Sequence, residues 1–318
     1  MKTKIHSILF IIFVFVLMPT IGAANTFIPI DFPGARQTIP WGINNLGQIV
    51  GWYSDQYGFN EKGFMYDGNT YKTIEFPGGK NTAAYGINDH GQIVGWYGDD
   101  VGSGYHGFLY DKGNYTSIDY GSVSTSVHGI NNDGKIVGSY WLSGSVPQTG
   151  FVYDGTTFTP LDVGSDFSAQ PLDINNQGKI VGSLSRFGVR NSSGFIFDGI
   201  SYDIFQVPPY RFTLARGIND HGQIVGNYYI DSVPGPVGGF LYEDGTFSFI
   251  DIPGAISTCP NAINDLGQIV GSYSSGTGAH GFLINPTAAV PLPSAVLLLG
   301  AGLGRLVLYS RRRLTEKN

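Results

Sequence analysis

The sequence predicts an all-β protein, a six-bladed β-propeller in which every blade is a four-stranded sheet. Three observations lead to this fold: a phrase that recurs six times at a spacing of 43 to 45 residues, a Gly-Phe step about 20 residues after each copy, and a displaced strand before the first copy. A unit of this length, repeated in tandem, is typical of propeller blades, which bury their faces against their neighbours. The phrase consists of Ile-Asn, a tight turn and Ile-Val-Gly, and its first isoleucines are Ile43, Ile87, Ile130, Ile174, Ile218 and Ile263.

Each unit is predicted to contain four strands, a to d. Short runs of β-branched and aromatic residues alternate with Gly, Asn, Asp and Pro, which is the pattern of strands joined by tight turns. In the second unit we place strand a at 83–88, strand b at 92–97, strand c at 107–110 and strand d at 115–119. No stretch of the repeat region carries a sustained apolar stripe with a period of 3.6 residues, so helices are not expected there.

The turn between strands a and b begins with Asn and has Gly in its fourth place in all six units. This pattern suits a type I turn, because the Asn side chain bonds to the backbone ahead of it and Gly adopts a positive φ without strain. Calcium-binding loops are the competing interpretation, but a calcium loop needs several oxygen ligands in fixed places. Carboxylates occur in only four of the turns, at Asp89, Asp133, Asp220 and Asp265. A structural turn is therefore preferred.

The two ends of the repeat region predict a closed ring. The sixth unit ends after its third strand, near Ile284, and lacks strand d. Residues 27–34 match the d strands at 74–78 and 250–254, so the N-terminal segment supplies the missing strand. Joining the first strand to the last unit removes exposed sheet edges, which otherwise invite aggregation. We therefore assign residues 25–286 to one closed propeller of six blades.

Glycine recurs inside strand b of each unit, where it weakens the strand unless another backbone packs closely against it. These glycines predict tight packing rather than phosphate-binding loops, because no strand–loop–helix context surrounds them. No clustered His or Cys spacing indicates zinc, and we expect no cofactor. Cys259 is the only cysteine, so no disulfide forms within the chain. The recurring glycines are Gly51, Gly95, Gly138, Gly182, Gly226 and Gly271.

Two segments lie outside the repeats. Residues 1–24 combine two early lysines, a short apolar stretch and a small-residue cleavage site, which is the pattern of a secretory signal peptide. The C-terminal segment 287–318 contains a proline motif, an apolar run at 294–310 and a basic end. An apolar run closed by arginines is typical of a membrane segment with a positive cytoplasmic end. The motif and basic residues are Val290, Pro291, Leu292, Pro293, Arg311, Arg312 and Arg313.

The C-terminal segment resembles the PEP-CTERM sorting signal of bacteria that make exopolysaccharide, over residues 290–313. The resemblance implies that an exosortase-like enzyme recognises the segment and removes it. Anchoring in the membrane through residues 294–310 would then be transient, and the mature protein would reach the cell surface or the extracellular matrix. A plain membrane anchor is the alternative interpretation of the same residues.

The repeats resemble the bacterial extracellular HAF repeat family over residues 27–284, through phrases such as His-Gly-Phe-Leu-Tyr at 106–110 and His-Gly-Phe-Leu at 280–283. The resemblance implies an extracellular location and a repeat-built fold. It implies no activity, because the family has none established. Function therefore has to be sought in the residues themselves.

The charge of the chain limits its partners. Residues 25–290 contain 11 basic and 23 acidic residues, which gives a net charge of −12. A surface this acidic argues against nucleic acid or anionic lipid as a partner, since both carry negative charge.

Candidate binding residues are sought where the units differ. The a–b turns hardly vary, whereas the b–c loops and d–a links differ between units and lie on one face, and function usually resides on variable loops of a rigid scaffold. The residues two positions before the first isoleucine of each phrase also differ, with Leu172 and Asn261 among them, and we expect them near the mouth of the central channel on this face. Aromatic and amide groups suit sugar or peptide recognition. The candidates are Trp41, Tyr57, Tyr85, Tyr105, His128, Trp141, Arg186, Arg190, Tyr210, Arg211, Arg216 and Tyr229.

The favoured hypothesis is a noncatalytic surface or matrix protein that binds exopolysaccharide or another surface protein. A hydrolase or lyase acting on polysaccharide is the alternative, and a structural filler without a specific ligand is the third possibility. A glycosidase needs two carboxyl groups that flank a cleft. The carboxylates outside the repeat consensus belong to separate units, and no catalytic residue is assigned; they are Asp99, Asp100, Asp166 and Glu243.

Overall fold

The structure is a computed structural model that describes residues 26–55, 60–99, 104–141, 148–229 and 238–286. The predicted signal peptide, the predicted sorting segment and Tyr57 lie outside these residues. Every regular element of the described part is a β-strand, which confirms the predicted all-β class. Within the same ranges, no helix has the length and apolar character needed to cross a membrane.

The described residues contain twenty-four strands, and these follow the repeat. The first is β1 (Thr26–Ile30), and unit 1 contains β2 (Gln37–Ile43), β3 (Ile49–Ser54), β4 (Glu61–Tyr66) and β5 (Tyr71–Ile74). Unit 2 contains β6 (Thr82–Ile87), β7 (Ile93–Gly98), β8 (Tyr105–Asp111) and β9 (Asn114–Ile118), and unit 3 contains β10 (Ser124–Ile130), β11 (Ile136–Trp141), β12 (Thr149–Tyr153) and β13 (Phe158–Pro160). Unit 4 contains β14 (Phe167–Ile174), β15 (Ile180–Arg186), β16 (Ser192–Phe197) and β17 (Tyr202–Phe205). Unit 5 contains β18 (Phe212–Ile218), β19 (Ile224–Tyr229), β20 (Gly238–Glu243) and β21 (Thr246–Ile250), and unit 6 contains β22 (Ser257–Ile263), β23 (Ile269–Ser275) and β24 (Gly278–Asn285).

Each unit forms an antiparallel sheet whose strands lie in chain order. Unit 6 has three strands of its own, and β1 pairs antiparallel with β24, so the N-terminal segment supplies the fourth strand as predicted. One parallel pairing, between Ser192 and Phe212, connects the sheets of units 4 and 5. In unit 2 the predicted strand ends agree with the observed ones to within two residues.

The a–b turns link each unit to the next. In unit 1 the side-chain oxygen of Asn44 accepts the backbone N–H groups of Leu46 and Gln48, at 3.1 and 2.9 Å, and Gly47 has a φ of +76°, as the turn prediction requires. The Asn44 amide nitrogen donates to the backbone oxygen of Asn88 in unit 2, at 3.0 Å. The same bond to the following unit, and from unit 6 back to unit 1, is donated by Asn88, Asn131, Asn175, Asn219 and Asn264.

A second set of hydrogen bonds joins the next residue of each turn. The backbone N–H of Asn45 donates to Oδ1 of Asp89 at 2.8 Å, and Oδ2 of Asp89 accepts the side-chain amides of Asn45 and Asn132. Burial raises the pKa of Asp89, but these hydrogen bonds outweigh it and bring the pKa below its ordinary value. The carboxylate therefore serves the contact between units. Among the described residues, no group of three or more His, Cys, Asp or Glu could hold a metal ion.

The glycine of strand b and the phenylalanine of the Gly-Phe step pack side by side. In unit 2, a Cβ added to Gly95 would lie 1.9 Å from the backbone oxygen of Ala83 and 2.9 Å from the Phe108 ring. Only glycine fits between strand a and the buried ring, so the predicted packing role of these glycines agrees with the geometry. The fully buried rings are those of Phe64, Phe108, Phe151, Phe195, Phe240 and Phe282.

The hydrophobic core lies between neighbouring sheets. Val50 and Ile74 of unit 1 pack with Ile93 and Phe108 of unit 2 in one cluster, and the other units repeat this arrangement. Ile30 of β1 belongs to a cluster that also contains residues of units 6 and 1. Each sheet thus buries its faces against the sheets before and after it.

Candidate functional site

The first strand of every unit contains a one-residue bulge two positions before the first isoleucine of the recurring phrase. In unit 1 the pairing of β2 with β3 passes from Pro40 to Gly42, so that Trp41 is skipped. A bulge takes one residue out of the ladder and redirects its side chain. The skipped residues, which we call the bulge residues, are Trp41, Tyr85, His128, Leu172, Arg216 and Asn261.

All six bulge residues line one cavity of about 90 Å³, to which every unit contributes; we call it the axial cavity. It extends to the second residues of the a–b turns, such as Asn45 and Asp89, and its described lining contains no residue of the b–c loops. The bulge residues were expected near the mouth of the central channel on the loop face, whereas the cavity that they line runs towards the turns. Ligand pockets are usually about 300–1,000 Å³. The axial cavity is therefore too small for an oligosaccharide.

Four bulge residues form a continuous set of ring contacts. The guanidinium carbon of Arg216 lies 4.8 Å from the centre of the Trp41 ring, which is cation–π distance. The rings of Trp41 and Tyr85 are 4.8 Å apart, and those of Tyr85 and His128 are 5.5 Å apart and stacked. Arg216 belongs to unit 5 and Trp41 to unit 1. The contact therefore joins two units that have unit 6 between them in the order of the sheets.

Two of these side chains are hydrogen-bonded to a residue of strand b that lies eleven positions later in the sequence. Trp96 donates its indole N–H to the hydroxyl of Tyr85 at 2.8 Å. In unit 5 the Nε of Arg216 donates to Oδ1 of Asn227 at 2.5 Å. Because both supporting residues lie in regular strands, Tyr85 and Arg216 are held in place by the sheet rather than by a loop.

Burial keeps the two titratable rings of the set neutral. It lowers the pKa of His128 to about 4, and the positive charge of Arg216 contributes in the same direction. It raises the pKa of Tyr85 to about 12 against the opposing effect of the Trp96 hydrogen bond. At neutral pH Arg216 is therefore the charged member of the set.

Asp173 is a functional candidate that the sequence reasoning missed. It lines the axial cavity directly after the bulge residue of unit 4. Its Oδ1 accepts the N–H of Ile174 at 2.9 Å, and its Oδ2 accepts the N–H of Ile218 in unit 5 at 3.0 Å. Burial raises its pKa to about 7, although these two hydrogen bonds oppose the shift. The signal was present in the sequence, because Asp173 replaces the glycine that precedes the isoleucine in four other units.

Asp173 is expected to make the stability of the protein depend on pH. The carboxyl has an ordinary pKa of 3.8 and a folded pKa of about 7, so between these values the folded state keeps a proton that the unfolded state has lost. The free energy of unfolding should fall by roughly 1.4 kcal/mol per pH unit over this window and stay level above it. Asp173→Asn should remove this slope.

Urea unfolding of the wild type and of Asp173→Asn at several pH values from 4 to 8 tests the prediction. The difference between the two proteins isolates Asp173, because carboxylates with lowered pKa values, such as Asp89, give the opposite slope in both. A difference that does not change with pH would show that Asp173 ionises equally easily in both states.

The exposed aromatic candidates each lie at the end of their sheet that carries the b–c loop. Tyr105, at the start of β8, is 52% exposed, and Trp141, at the end of β11, is 36% exposed. Phe187 directly follows β15 and is also 36% exposed, although the sequence analysis did not single it out. These three rings belong to consecutive units, 2 to 4.

The remaining candidates do not join this group. Tyr210 is half-buried and stacks on Tyr228 with ring centres 4.2 Å apart, which is a packing contact. Arg186, Arg190 and Arg211 are exposed, and Tyr229 is half-buried at the end of β19. None of them belongs to the described lining of the axial cavity.

The carboxylates considered for a hydrolase are dispersed as well. Asp166 lies 3.9 Å from an exposed arginine, Asp99 lies 3.6 Å from a histidine, and Glu243 accepts a hydrogen bond from a glutamine at 2.9 Å. None of the three belongs to the described lining of the axial cavity. Asp100 lies outside the described residues.

Three solved structures are similar to this chain over most of its length. A TolB-type protein from Agrobacterium tumefaciens has a TM-score of 0.54 at 12% identity, over 83% of this chain and 91% of that chain. The β-propeller domain of the Trilobed protease from Pyrococcus furiosus, described as having an open velcro topology, has a TM-score of 0.50 at 14% identity, over 80% and 82%. A Hadza microbial sialidase has a TM-score of 0.51 at 10% identity over 78% of this chain, which spans 65% of that protein's length.

At these identities the likeness shows the fold and nothing further: the chain is a β-propeller. No family model and no curated protein matches the sequence.

Proposed function

We propose that the protein is an exported, noncatalytic surface or matrix protein that binds polysaccharide, or a surface protein, through the loop end of a closed six-bladed propeller. The observation that carries the proposal is that three consecutive units each expose an aromatic ring at this end of their sheets, Tyr105, Trp141 and Phe187. Exposed aromatic side chains are frequent anchors for a partner because they bring a large contact area at little cost in conformational entropy. The dispersed carboxylates favour binding over catalysis.

Closure of the ring is supported by contacts between the first and last units. β1 pairs with β24 over five residues, and Asn264 donates its side-chain amide to the backbone oxygen of Asn44 at 3.0 Å. The backbone N–H of Asp265 donates to Oδ1 of Asn45 at 2.8 Å. Unit 6 thus makes the same turn contacts with unit 1 that the other units make with their successors. Six blades in a ring account for all of these contacts.

Removing exposed rings should weaken polysaccharide binding. We expect the double variant Tyr105→Ala and Trp141→Ala to bind the producer's exopolysaccharide roughly tenfold or more weakly, because anchoring aromatics often contribute 2 kcal/mol or more. Binding is measured by affinity electrophoresis or calorimetry. The matched control is Leu46→Ala, which removes a side chain that is 69% exposed at the opposite, turn end of the sheets. Equal binding by wild type and double variant would contradict the proposed surface.

Export is proposed from the two terminal segments. Residues 1–24 would be cleaved as a signal peptide, and an exosortase-like enzyme would remove the segment that begins near Val290. Supporting this location, residues 25–290 carry a net charge of −12 from 11 basic and 23 acidic residues and contain a single cysteine. Mass spectrometry of the mature protein from each cell fraction tests both cleavages. A protein that keeps residues 294–310 in the membrane fraction would instead support the plain anchor.

A polysaccharide hydrolase is the second candidate function, and Asp173 is the observation that favours it. A general acid or base works best when its pKa lies near the working pH, and the Asp173 carboxyl has a pKa of about 7 beside the cavity that Arg216 and Tyr85 also line. The 90 Å³ volume of that cavity argues against a glycosidic bond reaching it. Release of reducing ends from exopolysaccharide by the wild type, lost in Asp173→Asn, would favour the hydrolase.

A further inference from the structure

Arg216 carries a positive charge inside the axial cavity without a carboxylate partner among the described residues. Within the described residues, its guanidinium contacts the Asn227 side-chain oxygen and the face of Trp41. Only Nε takes part in that hydrogen bond, so the two Nη groups have no acceptor in the described chain. Partly buried charges are usually paired, because removal from water is costly. The Nη groups of Arg216 are therefore available to donate hydrogen bonds where the guanidinium lines the cavity.

The neighbours of Arg216 supply further donors. The hydroxyl of Tyr85 accepts the indole N–H of Trp96, which leaves its own proton free to donate. Trp41 Nε1 and Asn227 Nδ2 are buried and have no acceptor within the part of the chain that the structure describes. A buried donor without a partner lowers stability. The surroundings of Arg216 thus contain an excess of donors, and an added acceptor group would balance it.

The acidic groups of the cavity are already engaged elsewhere. Asp173 accepts two backbone N–H groups, and at the turn end the Oδ1 atoms of Asp89, Asp220 and Asp265 each accept a backbone N–H from the preceding unit. These carboxylates hold units together and form no ion pair with Arg216. None of the described carboxylates therefore serves as the acceptor for the Nη groups of Arg216.

We propose that Arg216 binds the carboxylate group of an acidic ligand at the axial cavity, with the hydroxyl of Tyr85 as a second donor. The planar guanidinium presents two parallel N–H groups that match the two oxygens of a carboxylate. The cavity of about 90 Å³ admits a carboxylate but not an oligosaccharide, so the remainder of a larger ligand would lie outside it. That this ligand is an acidic sugar rests on the proposed function.

Calorimetric titration of the full-length protein in detergent tests the proposal. The probes are sodium acetate, sodium glucuronate, neutral glucose and sodium chloride, at constant ionic strength. We expect heat from acetate and glucuronate and none from glucose or chloride. Tighter binding of glucuronate than of acetate would identify a sugar acid as the source of the carboxylate, whereas equal binding would identify a small free acid. Heat from chloride equal to that from acetate, or no heat from any probe, would overturn the proposal.

Substitutions of Arg216 distinguish the contribution of the guanidinium geometry from that of the positive charge alone. Arg216→Gln is expected to bind carboxylates roughly tenfold to a hundredfold more weakly, since it removes hydrogen bonds to a charged group. Arg216→Lys keeps the positive charge but lacks the two parallel N–H groups. Its affinity for carboxylates should lie between those of the wild type and Arg216→Gln. The matched control is Arg190→Gln, which removes the same charge at an exposed position. Unchanged carboxylate binding in Arg216→Gln would overturn the proposal.

Titration of His128 by NMR provides a readout that does not depend on affinity. Arg216 contributes to the low pKa of His128, which is about 4. A bound carboxylate should raise this pKa in the wild type, and Arg216→Gln should raise it without ligand. A His128 pKa that acetate at saturating concentration leaves unchanged would contradict binding at this site.

If acetate binds through Arg216 but the protein does not retain exopolysaccharide, the proposed function fails and the carboxylate site stands. If exopolysaccharide is retained equally by Arg216→Gln and no small carboxylate binds, the site fails and the proposed function stands.

Discussion

Gly95→Ala is expected to prevent stable folding, with a loss of more than about 3 kcal/mol in the free energy of unfolding, because overpacked cores typically lose 1–3 kcal/mol and here the obstacle is backbone. The added Cβ would lie 1.9 Å from the backbone oxygen of Ala83 and 2.9 Å from the buried Phe108 ring. No rotamer change can move a backbone oxygen, so β6 and β7 would have to separate. Urea unfolding followed by intrinsic fluorescence measures the loss.

The same strand provides a matched control. A Cβ added to Gly98, three residues after Gly95 in β7, would meet no atom within 4 Å. Gly98→Ala should therefore change the free energy of unfolding by less than about 1 kcal/mol, with a slight gain expected because alanine restricts the unfolded chain. Similar losses of stability in the two variants would show that close packing is not the reason for glycine at position 95.

Ile30→Asp is expected to lower the free energy of unfolding by more than about 4 kcal/mol and to detach β1 from β24, because it places an unpaired charge in a hydrophobic cluster. Ile30 is 1% exposed and packs with Ile43 and Phe64 of unit 1 and Val270 of unit 6. Loss of β1 would also leave β24 as an unpaired edge, which favours aggregation. Thermal unfolding and light scattering measure the two effects.

Ile28→Asp in the same strand is the control, since Ile28 is 36% exposed. Its effect should stay below about 1 kcal/mol, as for other substitutions at the surface. A small loss of stability from both changes would contradict the proposed closure of the propeller by the N-terminal strand.

Much of the fold could be predicted because it is encoded locally. The turn from Asn44 to Gly47 needs only an acceptor side chain at its start and a residue tolerant of positive φ at its end, and the observed φ of Gly47 is +76°. Strand β1 was predicted from its likeness to other d strands, and it pairs with β24. What the repeat pattern did not reveal is that Asn44 also donates to Asn88, because that bond depends on how two units are placed beside each other.

The candidate site was predicted in part. The divergent residues before each phrase were singled out as a set, and all six line the axial cavity. The sequence analysis considered Leu172 and not Asp173, although Asp173 stands where four other units have glycine. Its pKa of about 7 could not be predicted, since that value results from burial. The cavity's extension towards the turns depends on where each bulge falls in its strand.

The sequence by itself determined the all-β class, the repeating unit, the turn chemistry and the strand that completes the last sheet, because each of these depends on residues close together in the chain or on comparison between copies. Only the tertiary structure decided that Arg216 reaches Trp41 across an intervening unit and that no described carboxylate pairs with it. Such contacts depend on how the sheets of different units are placed beside one another and on the direction in which a bulge turns a side chain. Neither property is written in the pattern of a single repeat.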